Sequence, residues 1–203
     1  MIETVFADYK EVPINSCDVL RYMQCDAQTN DASLHALAEN CIEEMYPLLS
    51  CKACFVRFPI TKLSEGGMDL GFTATHSKTL NKHLADAHEM ILLAATVGVA
   101  IDRIIQKYSL LSPSHAVTAQ AVGTAAVEGW CDLLCARFAA TENKKNNHLL
   151  PRFSPGYGDF PLSVQKDIFR ILDCGRKIGV TLTDSLLMTP SKSVTAVIGI
   201  KKK

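Results

Sequence analysis

The stretch Glu89-Met-Ile-Leu-Leu-Ala-Ala-Thr-Val97 is a nearly unbroken apolar run of strand length. Such a run is typical of a strand that is buried on both faces of a sheet. Gly98 follows it, and Ile101, Ile104 and Ile105 then recur at helical spacing. We therefore predict a central strand over 89–97 that turns at Gly98 into a helix.

The longest predicted helix comes next in the chain. It begins at Ser112-Pro113, because a serine hydroxyl can cap a helix and proline fits the first turn, and it runs to about Thr141. The polar sequence of residues 142–147, Glu-Asn-Lys-Lys-Asn-Asn, predicts a mobile loop.

The C-terminal part is predicted to contain one more helix and two strands. Apolar residues at helical spacing indicate a helix over 163–174, which Gly175 would end. The strands are expected over 180–188 and 193–200, joined through Thr189-Pro190.

Three further elements are predicted toward the N-terminus. They are a helix from an Asp31 N-cap to about Leu49, a two-stranded antiparallel pair formed by 53–60 and 68–74 around Gly66-Gly67, and a short helix over 77–87. Helices and strands are thus interspersed, and turns join neighbouring strands. The sequence predicts an α+β fold, with one domain over 1–203 that has a mainly antiparallel sheet and several packed helices.

Composition excludes some classes of function. The 203 residues include 21 Lys and Arg against 21 Asp and Glu, and this balance argues against nucleic acid as a partner. The basic cluster Lys201–Lys203 is predicted to be a solvated tail. No apolar run approaches the roughly 20 residues of a membrane span, and the N-terminus lacks a signal-peptide pattern, so we expect a cytoplasmic protein without a membrane partner.

Eight cysteines occur without any sign of export, so the thiols are expected to stay reduced. Cys51-x-x-Cys54 is the one spacing with chemical potential, either for thiol redox chemistry or for metal binding. Cys131 and Cys135 are four residues apart, which is not a second zinc-binding pair. Burial of the thiols in the core is the favoured interpretation, and no metal site is predicted.

Residues 151–161 form the most constrained stretch of the chain. The sequence Pro-Arg-Phe-Ser-Pro-Gly-Tyr-Gly-Asp-Phe-Pro combines rigid prolines with glycines that let a ligand approach the backbone. Arg152 could bind a carboxylate through two hydrogen bonds, and Tyr157 offers a flat ring and a hydroxyl group. The alternative is a rigid loop on the core in which Arg152 pairs with a surface acid.

The longest predicted helix carries small and acidic residues on one face. They are Ala121, Thr124, Ala125, Glu128, Asp132 and Cys135. The small residues could leave room for a ligand, and the like charges of Glu128 and Asp132, four residues apart, could attract a cation. A solvated acidic patch is the alternative.

The order of several motifs in the last third of the chain resembles one known family. The motifs are Arg152-Phe-Ser-Pro-Gly-Tyr-Gly158, a helix, Gly179-Val-Thr-Leu-Thr-Asp-Ser185, Met188-Thr-Pro190 and Ser193-Val194. They resemble the activation domain of cobalamin-dependent methionine synthase, most strongly over 112–199. The resemblance implies the α+β fold of that domain and a role in methionine biosynthesis.

The resemblance also implies a function. A free-standing activation subunit would bind S-adenosylmethionine and assist the reductive methylation of cob(II)alamin on a partner, either a truncated cobalamin-dependent methionine synthase or another corrinoid protein. A flavodoxin-type protein is the candidate electron donor. Such a subunit belongs to a methyltransferase system but would not make methionine alone. The alternative is a corrinoid-protein-binding module that does not use S-adenosylmethionine.

The resemblance also implies ligand-binding roles for individual residues of this chain. The resemblance implies that Arg152 holds the ligand carboxylate, and that Glu128 with Asp132 compensates the sulfonium charge. It also implies that the backbone of a loop meets the adenosyl part; the loop residues are Pro155, Gly156, Tyr157 and Gly158. The candidates for the acid that would bind the ligand amino group are Asp8, Asp18 and Asp26. Met188 and Ser193 match family positions near the end of the sheet.

Overall fold

The computed structural model describes residues 1–25, 31–64 and 66–203. The described strands are β1 (Glu3–Ala7), β2 (Cys51–Pro59), β3 (Thr61–Lys62), β4 (Met68–Asp69), β5 (Ala74–Thr75), β6 (Glu89–Thr96), β7 (Asn147–Phe153), β8 (Thr181–Leu182), β9 (Met188–Thr189) and β10 (Ser193–Lys202). The described α-helices are α1 (Ser16–Tyr22), α2 (Ala32–Met45), α3 (Lys78–His83), α4 (Val99–Leu111), α5 (Pro113–Asn143), α6 (Gln165–Leu172) and α7 (Cys174–Ile178).

Five strands form the main sheet in the order β1-β2-β6-β10-β7, and every neighbouring pair is antiparallel. The apolar run in 89–97 forms the middle strand β6, as predicted. Successive side chains of a strand point to opposite faces. Met90 and Leu92 accordingly pack into one core and Ile91 and Leu93 into the other. The run is continuous because both faces of the sheet are buried.

Helices cover each face of this sheet. Helices α1, α2, α4 and α5 pack on one face, around the buried side chains of Trp130 and Ile198. Helices α3, α6 and α7 pack on the other face, around Phe160 and Val197, together with β4. This arrangement confirms the α+β fold with a mainly antiparallel sheet.

Two predictions about strands are wrong. Residues 53–60 do not pair with 68–74, because β2 lies between β1 and β6, whereas β4 pairs with β3 and β5 in a separate small sheet. Residues 180–188 are not one strand, because the short strands β8 and β9 pair with each other across a turn in which Leu186 has a φ of 64°.

The basic cluster 201–203 is solvated as predicted, since Lys202 and Lys203 are exposed, but it is not a free tail. Strand β10 extends beyond the predicted end, and its Lys201 and Lys202 lie opposite His148 and Asn147 of β7. These lysines therefore belong to the sheet.

The helix ends differ from the predictions in several places; for example, the helix predicted over 77–87 ends at His83. The predicted helix over 163–174 ends at Asp173, which has a left-handed conformation, and α7 then continues to Gly179. Helix α5 begins with Pro113 as predicted, but the Ser112 side chain bonds to His115 rather than to a backbone amide. Its C-terminal end includes the buried Glu142, so the predicted loop over 142–147 shrinks to one tight turn.

Candidate functional site

The site lies where one edge of the main sheet stops early. Strand β7 ends at Phe153, which pairs with Val197, so residues 193–196 of β10 have strand partners only on the β6 side. A cleft of about 910 Å³ opens at this free edge. Its walls come from α5, β7, the following loop, the start of α6 and the start of β10.

Arg152 projects from β7 toward α5, because its strand partner Ile198 faces that helix. Its Nη2 donates to Glu128 Oε2 at 2.6 Å, and its Nη1 donates to Asp132 Oδ1 at 2.7 Å. The two acids are one helical turn apart, so each takes one nitrogen of the planar guanidinium group. The structure thus brings together three predicted site residues as one ion-pair cluster.

This cluster changes the interpretation of the acidic pair. The cation that offsets the mutual repulsion of Glu128 and Asp132 is Arg152 of the same chain. The side chain of Arg152 is 20% exposed and that of Glu128 is 40% exposed. The pair is therefore accessible from the cleft, but a ligand must compete with an internal partner.

Two thiols lie behind the cluster. Burial raises the pKa of Cys131 to about 12, although the positive charge of Arg152 opposes this effect. Burial also raises the pKa of Cys135, whose Sγ lies 3.6 Å from Arg152 Nη1 and which lines the cleft. Both thiols are consequently protonated and uncharged at neutral pH.

Residues 154–161 are held in place by a contact that sequence reasoning missed. The Asp159 carboxylate accepts hydrogen bonds from Ser77 Oγ at 2.6 Å, from the Lys78 amide at 2.7 Å and from both the amide and the hydroxyl of Thr79. These bonds hold the pKa of Asp159 well below its usual range. The loop is therefore fixed to the start of α3. Asp159 was visible in the constrained stretch, but nothing in the sequence indicated its partners.

The predicted loop residues separate into two groups. Pro155 and Tyr157 line the cleft, and the Tyr157 side chain is largely exposed. Gly156 and Gly158 shape the loop from outside the cleft lining. Gly158 has a φ of 54°, and a Cβ there would lie 2.7 Å from the hydroxyl oxygen of Thr79.

The small residues in the first half of the predicted α5 face do not border the cleft. Ala121 and Ala125 are buried in the core. Next to them, the Lys192 side chain runs across α5, and its Nζ donates to Thr124 Oγ1 at 3.0 Å. The predicted face is therefore divided: the sheet and Lys192 cover its first half, whereas its two acids and Cys135 line the cleft.

Several other sequence candidates lie away from the cleft lining. Asp8 caps a short turn at Lys10, and Asp18 bonds to Asn15 and Arg21. Asp26 lies outside the described residues. Met188 and Ser193, which were predicted only to lie near the end of the sheet, line the cleft.

The Cys51-x-x-Cys54 spacing does not create a thiol pair. Cys51 packs into the core under α2, whereas Cys54 packs into the core on the opposite face of the sheet. Strand geometry separates residues three apart in this way. Burial also raises the pKa of Cys51 to about 11. Within the described ranges, no group of three or more metal-ligating side chains is found.

Sequence reasoning missed two buried polar residues of the cleft. Gln165 at the start of α6 is 5% exposed, and Thr195 in β10 is 2% exposed. Gln165 stands among helical residues and Thr195 inside an apolar strand, so neither carries a local sequence signal.

Comparisons with known proteins agree with this architecture. Residues 83–203 match the family model of the activation domain of vitamin B12 dependent methionine synthase. The chain also matches the crystal structure of the MetH reactivation domain bound to AdoHcy, with a TM-score of 0.72 and 15% identity over 98% of this chain and 78% of that chain. At this identity the second match supports the fold alone. The search of curated proteins gave no match.

Proposed function

This chain belongs to the family of activation domains of vitamin B12 dependent methionine synthases, and on that premise we propose that it binds S-adenosylmethionine in the cleft. Bound there, it assists the reductive methylation of cob(II)alamin that a partner protein carries. The observation that carries this proposal is Arg152 in the cleft wall, beside the acids Glu128 and Asp132.

The cleft suits a zwitterionic nucleoside ligand. Its volume of about 910 Å³ falls within the range of roughly 300–1,000 Å³ that is typical of small-molecule sites. Arg152 can offer two parallel N–H groups to a carboxylate. Glu128 can then compensate a cationic group of the ligand. Tyr157 exposes an aromatic face at the same opening.

When bound, S-adenosylmethionine supplies a methyl group on a positively charged sulfur. The residues of this chain bind and orient it. Arg152 fixes the carboxylate end, and the loop held by Asp159 keeps Pro155 and Tyr157 in place along the cleft. Orientation of this kind supplies much of the rate gain when two reactants must meet in one geometry.

The partner in this proposal is a corrinoid protein, either a truncated cobalamin-dependent methionine synthase or another cobalamin carrier, and a flavodoxin-type protein donates the electron. The chain has a net charge of zero, which suits transient docking. We propose the cytoplasm as its location, a reducing compartment in which the five buried cysteines can serve as small apolar core residues. Among the described helices, none has the length and apolar character needed to cross a bilayer.

One observation favours a second candidate function. Arg152 already bonds to Glu128 and Asp132, so a ligand carboxylate must displace at least one of them. A corrinoid-protein-binding module that does not use S-adenosylmethionine could function with the ion pairs of Arg152 intact. Capture of the corrinoid protein that does not depend on the nucleoside, with no binding of S-adenosylmethionine, would favour this second candidate.

Isothermal titration of the full chain with S-adenosylmethionine tests the first candidate. Arg152→Ala should weaken binding by about 1.5–3 kcal/mol, because a charged hydrogen-bonding group is lost. Arg176→Ala is the matched control, since Arg176 forms an exposed ion pair with Asp173 on α7. Absence of binding by the unmodified chain, both alone and with the corrinoid partner, would refute the ligand assignment.

A second titration separates the two roles that Glu128 could have. If Glu128 compensates the sulfonium charge, Glu128→Gln weakens S-adenosylmethionine more than S-adenosylhomocysteine, which lacks that charge. If Glu128 only competes for Arg152, the same change strengthens both ligands, because the guanidinium group is released. An equal loss for both ligands would contradict both roles.

A further inference from the structure

The cleft contains two buried oxygen atoms without a partner. Gln165 Oε1 and Thr195 Oγ1 are fully buried and accept no hydrogen bond from any described residue. Both residues line the cleft. Buried polar atoms are nearly always hydrogen-bonded in native proteins, so each exception requires an explanation.

The two residues lie on the opposite face of the sheet from Arg152. Thr195 is two residues before Val197, whose side chain packs with α6, whereas Arg152 lies opposite Ile198, which packs with α5. The cleft therefore runs around the free edge of β10. It has an ionic end at Arg152 and a neutral polar end at Gln165 and Thr195.

The chemistry of the neutral end fits a purine that carries an amino group. The Gln165 side-chain oxygen is buried without a partner, and its NH2 group forms no hydrogen bond with a described residue, so an acceptor and a donor are both available. A glutamine amide matches the amino group and the adjacent ring nitrogen of adenine, accepting from one and donating to the other. The Thr195 hydroxyl adds a second acceptor.

We propose that Gln165 and Thr195 form a subsite that receives the amino-purine end of the ligand while Arg152 holds its carboxylate end. This inference rests on the proposed function and extends it, since it assigns ligand specificity to residues outside the family motifs. It also explains the orphaned oxygens, because a ligand amino group is the donor that they lack.

The test uses the full chain, S-adenosylhomocysteine and an analogue in which hydrogen replaces the purine amino group. Thr195→Val and Gln165→Met retain side-chain size but remove the polar atoms. Each should weaken S-adenosylhomocysteine binding by roughly 3- to 10-fold, the usual value of one hydrogen bond. The unmodified chain should bind the analogue more weakly by at least a similar factor. With the analogue, Thr195→Val should cause no further loss, whereas Gln165→Met should lose only its bond to the ring nitrogen. Gln106→Met is the control, since Gln106 is exposed on α4.

A stability measurement excludes a purely structural role. Because the two oxygens have no partner in the free chain, replacing them should leave the unfolding temperature unchanged or raise it, while ligand affinity falls. A variant that weakens S-adenosylhomocysteine and the analogue equally would overturn the subsite. Equal affinity of the unmodified chain for the two ligands would also overturn it. If the unmodified chain binds neither ligand, the proposed function fails first. Two independent variants keep the test valid if one does not fold.

Discussion

The carboxylate of Glu142 offers a direct test of the fold at the end of α5. Its side chain is fully buried, and it accepts hydrogen bonds from Arg57 Nη2 at 2.8 Å, Lys145 Nζ at 3.0 Å and Asn147 Nδ2 at 2.8 Å. Burial alone would raise its pKa, but these three donors together lower it from 4.5 to about 2. Glu142 thus ties α5 to β2 and to the start of β7.

The magnitude follows from that pKa. One pKa unit corresponds to about 1.4 kcal/mol, so the ionised group contributes at most roughly 3 kcal/mol at neutral pH. Because Lys145 is about half exposed and solvent screens its charge, we expect about 1–3 kcal/mol. The folded-state pKa lies below the unfolded-state value. The stabilisation is therefore fully present above pH 4.5 and is lost as the pH falls toward 2.

Urea unfolding of the unmodified chain and of Glu142→Gln at about pH 7 and about pH 3 measures this contribution. Glutamine resembles the protonated acid, so the difference in unfolding free energy should be largest at neutral pH and shrink in acid. Asp167→Asn is the control, because its ion pair with Arg170 is exposed and should contribute less than about 1 kcal/mol. A difference that is equal at both pH values would refute the reasoning.

Three further predictions concern the loop, the helix and the thiols. Asp159→Asn removes one acceptor oxygen of the contact between the loop and the start of α3. The backbone amides of residues 154–160 should then exchange hydrogen faster, and S-adenosylmethionine should bind more weakly. Unchanged hydrogen exchange would contradict the role of Asp159 in holding the loop. Gly129→Ala should lower the unfolding free energy by about 1–3 kcal/mol, because the new Cβ would lie 2.3 Å from the Pro13 carbonyl oxygen. This loss should exceed the gain from the better helix propensity of alanine. Urea unfolding that shows an equally stable variant would refute the contact. Cys51→Ala should leave the ligand affinity measured by calorimetry unchanged, since Cys51 and Cys54 lie on opposite faces of the sheet. A lower affinity would indicate that the Cys51 thiol takes part in function.

The sequence was most informative where burial leaves a simple pattern. Strand β6 is buried on both faces, so its apolar run identified it, and Asp31 caps α2 through the amides of Ser33 and Leu34 as expected. Strand pairing was harder to predict. A turn at Gly66-Gly67 suggested a local hairpin, but β2 pairs with the distant strands β1 and β6, and helices bury both of its faces. Distant partners of this kind leave no local signal.

The site also contains residues that the sequence indicates and contacts that it does not. Arg152, Glu128 and Asp132 were predicted because charged residues in a constrained loop and on a helix face are visible in the sequence. Their mutual pairing was not predicted, since it depends on the register of β7 against β10; the sequence offered only an unspecified surface acid as a partner of Arg152. A slip of one residue would turn Arg152 to the other face of the sheet and away from α5. The burial of the Gln165 and Thr195 oxygens without partners could not be predicted, because it depends on the packing of α6 against the sheet.

The early end of β7 connects these observations. If β7 continued beyond Phe153, it would pair with residues 193–196 and close the free edge at which the cleft opens. The chain instead leaves the sheet, and Asp159 fixes it to the start of α3. The cleft can then reach both faces of the sheet, with Arg152 on one side and Thr195 on the other. If the cleft binds the proposed ligand, Asp159 supports binding without lining the cleft, because it holds the chain away from the edge of β10.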